Sequence, residues 1–152
     1  MRAFLLAAFV LAACAQPGGG ADPASPPPHQ QLSPLAQRIL ADNARLDAEL
    51  SGEGVAAAGI GETADLGGGL TIRPLALIED SRCAADVVCV WAGRLRLRAL
   101  VAGETRELTL GEPLATPAGV VVLATAKPGA WSEWPESELG ARPPYRFGFR
   151  RG

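Results

Sequence analysis

The segment from Trp91 to Val101 alternates between apolar and charged residues, and this alternation constrains the fold more than any other feature of the chain. Its odd positions carry Trp91, Gly93, Leu95, Leu97, Ala99 and Val101. The even positions 94, 96 and 98 all carry arginine. Because successive side chains of a strand point to opposite faces, this period of two predicts a half-buried strand of an antiparallel sheet. A turn at 102–104 then leads into a partner strand over 105–110, which predicts a hairpin.

Further short apolar runs follow Val55, separated by glycine and proline, which is typical of strands and turns. The candidate strands are 60–66, 70–79, 89–101, 105–110, 119–126 and 144–150. No helical pattern separates these runs. Residues 54–152 are therefore predicted to form an all-β domain, a small antiparallel sandwich or barrel.

One helix is predicted ahead of this domain, over residues 34–51. Ser33 suits the N-cap, Pro34 suits the first helical position, and Gly52 is a plausible stop. The apolar residues that share one side at a period of 3.6 are Leu35, Ile39, Leu46 and Leu50. This stripe is narrow, so the helix either packs on the domain or forms part of a stalk. Packing is the preferred interpretation, and contact with a partner is an alternative.

Residues 14–33 are rich in proline and glycine and carry no pattern that could build a packed face. They are predicted to be a disordered linker. The segment 15–33 would reach roughly 25 Å as a flexible coil and roughly 60 Å as an extended polyproline-like chain. A proline-rich ligand motif is the minor alternative. What remains is about 100 residues, enough for one small domain with a modest core.

The first fourteen residues combine a positive charge with a short apolar run. Arg2 precedes the uninterrupted run 3–15, which is shorter than the about 20 residues of a spanning helix and has the length of a signal-peptide core. The sequence Leu11-Ala12-Ala13-Cys14 resembles the lipobox of bacterial lipoproteins. The resemblance implies that residues 1–13 are removed and that Cys14 becomes an acylated N-terminus. An ordinary secretory signal cut close to this position is the alternative.

The same resemblance predicts a location in the cell envelope, with a membrane as partner through the N-terminal lipid. Processed lipoproteins carry more than one acyl chain, and each buried CH₂ contributes about 0.8 kcal/mol, so the anchor would be durable. By similarity to Gram-negative lipoproteins, Ala15 in place of aspartate favours the outer membrane, facing the periplasm.

The expected pairing of the cysteines depends on the assignment of Cys14 as the acylated residue. If Cys14 carries lipid, Cys83 and Cys89 are left as a pair, which is expected to be a disulfide outside the cytoplasm. In the chain-entropy model, closing so short a loop contributes roughly 2.4 kcal/mol. A redox-active pair is the alternative, but the spacing is not C-x-x-C. The only histidine, His29, lies in the linker, and neither a metal nor a cofactor is predicted.

Residues 79–93 read Glu-Asp-Ser-Arg-Cys-Ala-Ala-Asp-Val-Val-Cys-Val-Trp-Ala-Gly. They resemble a D-S-R-C-x(5)-C-x-W-A-G signature of small bacterial exported proteins and lipoproteins, with Ala84 where that family usually has proline. The resemblance implies a compact β domain and no particular activity.

From the residues themselves, this stretch has mainly structural interpretations. The disulfide would clamp a tight loop, and Trp91 would pack against it in the core. Asp80 and Ser81 would cap the loop, and Arg82 would pair with Asp80 or Asp86. A recognition surface and a calcium site formed by Glu79, Asp80 and Asp86 are the alternatives.

Catalysis is not predicted, and no catalytic residue is assigned. His29 is far in sequence from any serine of the domain, and no G-x-S-x-G, H-E-x-x-H or S-x-x-K constellation is present. Without Arg2 the chain keeps 13 basic and 16 acidic groups, a net charge of −3, which argues against nucleic acid as a partner. Trp131 and Trp134 are candidate binding residues for an envelope protein or glycan. The preferred alternative is that they fold back over the end of the sandwich.

These observations predict a non-catalytic envelope lipoprotein whose tethered β domain has a binding or structural role. Two alternatives stay open: a small hydrolase of envelope polymers, and an inhibitor or chaperone-like binder that uses the loop carrying Trp131 and Trp134. A cleft with facing carboxylates would favour the hydrolase, whereas a filled core with a convex surface would argue against it.

Overall fold

The structure, a computed structural model, describes residues 31–152. The predicted signal peptide, Cys14 and nearly all of the predicted linker, with His29, lie outside the described residues. Helix α1 (Pro34–Leu50) comes first. It is followed by β1 (Val55–Gly59), β2 (Ala64–Asp65), β3 (Thr71–Asp80), β4 (Leu95–Val101), β5 (Glu104–Thr109), β6 (Pro113–Thr116), β7 (Gly119–Lys127) and β8 (Arg146–Arg151), with the short helix α2 (Glu136–Leu139) before β8.

The strands form two four-stranded antiparallel sheets. One has the order β1-β8-β7-β6 and the other the order β2-β3-β4-β5. The hairpin of β4 and β5 pairs Val101 with Glu104 and Arg96 with Thr109. The prediction of a small all-β sandwich preceded by one helix is therefore confirmed.

The core lies between the two sheets, and β4 shows why. Its odd positions are all buried, whereas its arginines point outward and form ion pairs with Glu79 and Glu107. The other large side chains that fill the core are Leu70, Ile72, Leu108, Val121, Leu123, Phe147 and Phe149. Within residues 31–152, neither helix has the length and apolar character needed to cross a membrane.

Several predicted strand boundaries are wrong. The strand predicted over 89–101 begins only at Leu95, because the chain before it forms a loop. The strand predicted over 60–66 is replaced by β1 and the two-residue β2. The small residues of β1 show no alternation, yet they pair with β8 at a place where Leu50 of α1 comes close to Gly148. Strand β6 was not predicted.

Helix α1 packs on the domain through the predicted stripe, of which Ile39, Leu46 and Leu50 are buried. Ser33 caps the helix, since its hydroxyl accepts a hydrogen bond of 3.1 Å from the amide of Ala36. Further along, the hydroxyl of Thr125 donates to Glu49 at 2.8 Å. The helix is therefore part of the folded unit.

Candidate binding surface

The stretch between β3 and β4, residues 81–94, is held as a closed loop, called here the clamped loop. The amide of Ser81 donates to the carbonyl of Arg94 at 2.8 Å, and the amide of Cys83 donates to that of Ala92 at 2.9 Å. A disulfide joins Cys83 to Cys89, whose Cα atoms are 5.9 Å apart. The predicted pairing of these two cysteines is thus present in the structure.

The base of the clamped loop is fixed by an ion pair that is largely buried. The Arg82 guanidinium donates two hydrogen bonds of 2.8 Å to the two carboxylate oxygens of Asp80. It also donates to the carbonyls of Pro128 at 2.9 Å and Ala126 at 3.3 Å. The hydroxyl of Tyr145 donates to Asp80 at 2.7 Å. Arg82 therefore ties the loop to the end of β7, and of its two predicted partners it takes Asp80.

Burial and hydrogen bonding act in opposite directions on the pKa values of Asp80 and Arg82. Burial raises the pKa of Asp80, but the hydrogen bonds from Arg82 and Tyr145 outweigh it, so the pKa lies below its ordinary value. Burial lowers the pKa of Arg82, and the bonds to Asp80 outweigh it and raise that pKa. For Tyr145, burial and then the hydrogen bond to Asp80 both raise the pKa. At neutral pH the cluster is one charged pair with a neutral phenol.

A second attachment joins the clamped loop to the segment before α2. The carboxylate of Asp86 accepts hydrogen bonds from the hydroxyl of Ser132 and, at 3.0 Å, from its amide. These bonds lower the pKa of Asp86. The amide of Ala85 also donates to the carbonyl of Ala130 at 2.9 Å.

The acidic side chains named for calcium are each engaged elsewhere. Asp80 pairs with Arg82, Asp86 bonds to Ser132, and Glu79 bonds to Arg94. In the part of the chain that the structure describes, no three histidine, cysteine or acidic side chains come together in a group that could hold a metal ion.

The far end of the clamped loop is apolar and exposed. Val87 is 47% exposed, Val88 102%, Val90 94% and Trp91 80%. These four residues are called here the apolar tip. The prediction that Trp91 packs in the core is wrong, because β4 starts only at Leu95 and the loop carries the indole away from the sheets. Sequence periodicity missed this surface, since it placed Trp91 on the buried face of a strand that does not extend so far.

The two tryptophans that are candidate binding residues have contacts within the domain. Trp131 is only 9% exposed; its indole N–H donates to Asp42 of α1 at 3.2 Å, and the guanidinium of Arg38 lies 5.9 Å from its ring centre. The indole N–H of Trp134 donates to the carbonyl of Gly140 at 2.8 Å, and Arg142 lies over its ring. Trp131 thus joins α1 to the end of the sandwich, in line with the preferred interpretation that it folds back over that end.

Four surface cavities in the described part of the chain, residues 31–152, do not bring carboxylates together. The two larger ones, each of about 300 Å³, are lined by one acidic residue each, Glu104 and Asp65. Two smaller ones contain Asp80, which is paired with Arg82, and Glu62. None of these four cavities offers the pair of facing carboxylates that glycoside hydrolysis needs.

No family model matches this chain, and neither a curated protein nor a solved structure matches it. The resemblance of residues 79–93 to an exported family stays a prediction.

Acidification is expected to destabilise the protein below about pH 4. An unfolded aspartate has a pKa of about 3.9, and the pKa values of Asp80 and Asp86 are lower in the folded protein. The unfolded chain therefore binds more protons as the pH falls. The stabilisation is complete above the unfolded pKa and is lost as the pH drops through the folded values. Urea unfolding at several pH values between 5 and 2 measures the slope of the free energy of unfolding against pH.

Two variants separate the contributions of these groups. Asp80→Asn and Ser132→Ala are each expected to make the slope shallower, because each removes one source of the lowered pKa. A free energy of unfolding that stays constant from pH 5 to pH 2 would contradict the assignment.

Proposed function

We propose that this protein is a non-catalytic lipoprotein of the bacterial cell envelope, anchored through Cys14 in the outer membrane and facing the periplasm. Its folded domain works by binding, and the contact surface is the apolar tip. The lipobox-like leader supports the anchor, and the linker predicted over 14–33 from its proline and glycine content would let the domain reach a partner.

One observation supports the binding role: the apolar tip is exposed, although the base of the clamped loop is held by a disulfide, an ion pair and backbone hydrogen bonds. Burying a single valine side chain stabilises a protein by about 1.5 kcal/mol or more. The apolar tip places three valines and a tryptophan in five consecutive positions, and because they are exposed, the free domain does not gain this stabilisation. Contiguous exposed apolar groups of this kind mark interaction sites more often than isolated ones do. The disulfide and the Asp80–Arg82 pair hold the loop in place, so little ordering is needed when it binds.

The exposure of the apolar tip and the contacts of Trp131 and Trp134 within the domain favour the tip as the contact surface over these two tryptophans. Trp131 is nearly covered by its own domain, so stacking on a glycan or protein would require it to leave Asp42 and Arg38. A hydrolase is not favoured by cavities that each contain a single carboxylate.

Mass spectrometry of the N-terminal peptide tests the anchor. Trypsin cleaves after arginine and lysine, and none occurs between Arg2 and Arg38. A processed lipoprotein yields the peptide 14–38 with a mass increased by acyl chains, from protein that enters the detergent phase. Separation of inner and outer membranes then gives the location.

The Cys14→Ser variant is the control, and it is expected to remain unprocessed and without acyl chains. A peptide that begins at residue 3, or an unmodified peptide that begins at Cys14, would overturn the proposal.

A further inference from the structure

We propose that the partner of the apolar tip is the lipid surface itself. The tip would insert shallowly into the interfacial region of the membrane that holds the Cys14 lipid, so that the domain has two contacts with the bilayer. This inference rests on the proposed anchor and names the partner class of the same surface.

The chemistry of the tip suits a lipid interface. Residues 87–93 carry no charged side chain, so the tip can leave water without desolvating an ion. The charged neighbours on either side are already bonded, Asp86 to Ser132 and Arg94 to Glu79. Tryptophan is enriched at membrane–water interfaces, where its ring is apolar and its N–H stays near water. Valines beside such a ring provide apolar surface for the acyl boundary.

The position of the tip within the domain agrees with a membrane at that end. The segment between β7 and β8 touches the clamped loop, where Ala85 bonds to Ala130 and Asp86 bonds to Ser132. The same segment touches the start of α1, because the amide of Ser33 donates to Glu138 at 2.6 Å. The chain therefore enters the folded domain at the end that carries the apolar tip. Only the nineteen residues 15–33 separate this point from Cys14.

Other partners fit the tip less well. A glycan presents hydroxyl groups that need hydrogen bonds, and three valines offer none from their side chains. A protein partner would need a pocket shaped to a convex tip, because interface cores pack as densely as protein interiors. A lipid surface accepts a convex apolar tip without a matching shape.

Tethering makes a small tip sufficient. Four side chains bind a bilayer weakly on their own, as a single lipid chain does. Once the protein is anchored, the second contact is intramolecular and has a high effective concentration. The clamped loop is also fixed before it binds, so insertion orders no flexible segment.

Quenching of Trp91 by brominated lipid tests the inference. The processed protein is placed in vesicles of phosphatidylethanolamine and phosphatidylglycerol, with or without bromine on the acyl chains. Bromine is expected to quench part of the tryptophan emission, and that part is expected to be absent in Trp91→Phe, which keeps Trp131 and Trp134. The double variant Val88→Ser/Val90→Ser is expected to lower the ratio of inserted to free tip by about a hundredfold, since each buried valine contributes about 1.5 kcal/mol.

The matched control is Val120→Ser, at the opposite end of the sandwich, where β7 begins and the valine is 36% exposed. It is expected to leave the quenching as in wild type. Equal quenching in wild type and Trp91→Phe would overturn the inference. So would an unquenched Trp91 whose emission shifts only in native envelope membranes, an outcome that would indicate a protein partner.

The anchor and the tip can fail separately. If the native protein carries no acyl chain, residues 14–152 can be coupled through the Cys14 thiol to a maleimide lipid, since Cys83 and Cys89 are joined in the disulfide. Quenching in that sample would support the tip even though the proposed anchor had failed. An acylated native protein without quenching would leave the anchor standing and overturn the tip.

Discussion

Replacing Gly93 by alanine is expected to lower the free energy of unfolding by about 3–4 kcal/mol. Gly93 has a φ of +65°, a conformation that costs a residue with a Cβ roughly 1–2 kcal/mol. A Cβ at this position would also lie 1.7 Å from the carbonyl oxygen of Ser81, so the two strands of the loop base must move apart. Such overpacking typically costs a further 1–3 kcal/mol. Urea unfolding of both proteins measures the difference.

Gly54→Ala separates the two causes. Gly54 has a similar φ of +73°, but nothing lies within 4 Å of the Cβ that would be added. We expect this control to cost only the conformational part, about 1–2 kcal/mol. Equal losses in the two variants would mean that the contact with Ser81 relaxes without cost. The clamped loop would then be less firmly closed than the geometry indicates.

The fold could be predicted from local pattern, because its signals are short-range. Alternation in 95–101 gives the buried face of β4, and Ser33-Pro34 gives the start of α1. The strand β1 could not be found this way. Its alanines and glycine have no alternating pattern, and they form a strand only because β8, more than eighty residues later, pairs with them.

The candidate surface could be predicted only in part. Cysteine counting predicted the disulfide, whereas the sequence left the partner of Arg82 open between Asp80 and Asp86, and the structure pairs it with Asp80. The direction of Trp91 depended on where β4 begins, and no local signal marks that residue. The separate contacts of Trp131 with α1 and of Asp86 with Ser132 join parts of the chain that are distant in sequence. Periodicity contains no information about such pairs.

Replacing Arg82 by methionine is expected to destabilise the protein by about 3 kcal/mol. The side chains of Arg82 and Asp80 are only 16% and 14% exposed. Removing one partner of a pair this buried leaves the other charge without compensation, which typically costs 3–5 kcal/mol. The carbonyls of Ala126 and Pro128 would lose their donor as well. Lysine is not expected to restore stability, because it cannot donate two parallel hydrogen bonds to one carboxylate.

Arg94→Met is the matched control on the same loop. Arg94 pairs with Glu79, but its side chain is 60% exposed, and exposed pairs contribute about 0–1 kcal/mol. A cycle with Asp80→Asn then isolates the coupling between Asp80 and Arg82. If Arg82→Met and Arg94→Met lose the same small amount, Arg82 does not hold the loop base. If Arg82→Met unfolds more easily while bromine still quenches Trp91, the disulfide and the remaining hydrogen bonds of the loop are enough to present the apolar tip. If Arg82→Met loses both stability and the quenching of Trp91, the position of the tip depends on the attachment of the loop to β7. Stability and membrane contact would then both depend on the buried ion pair of Arg82 and Asp80.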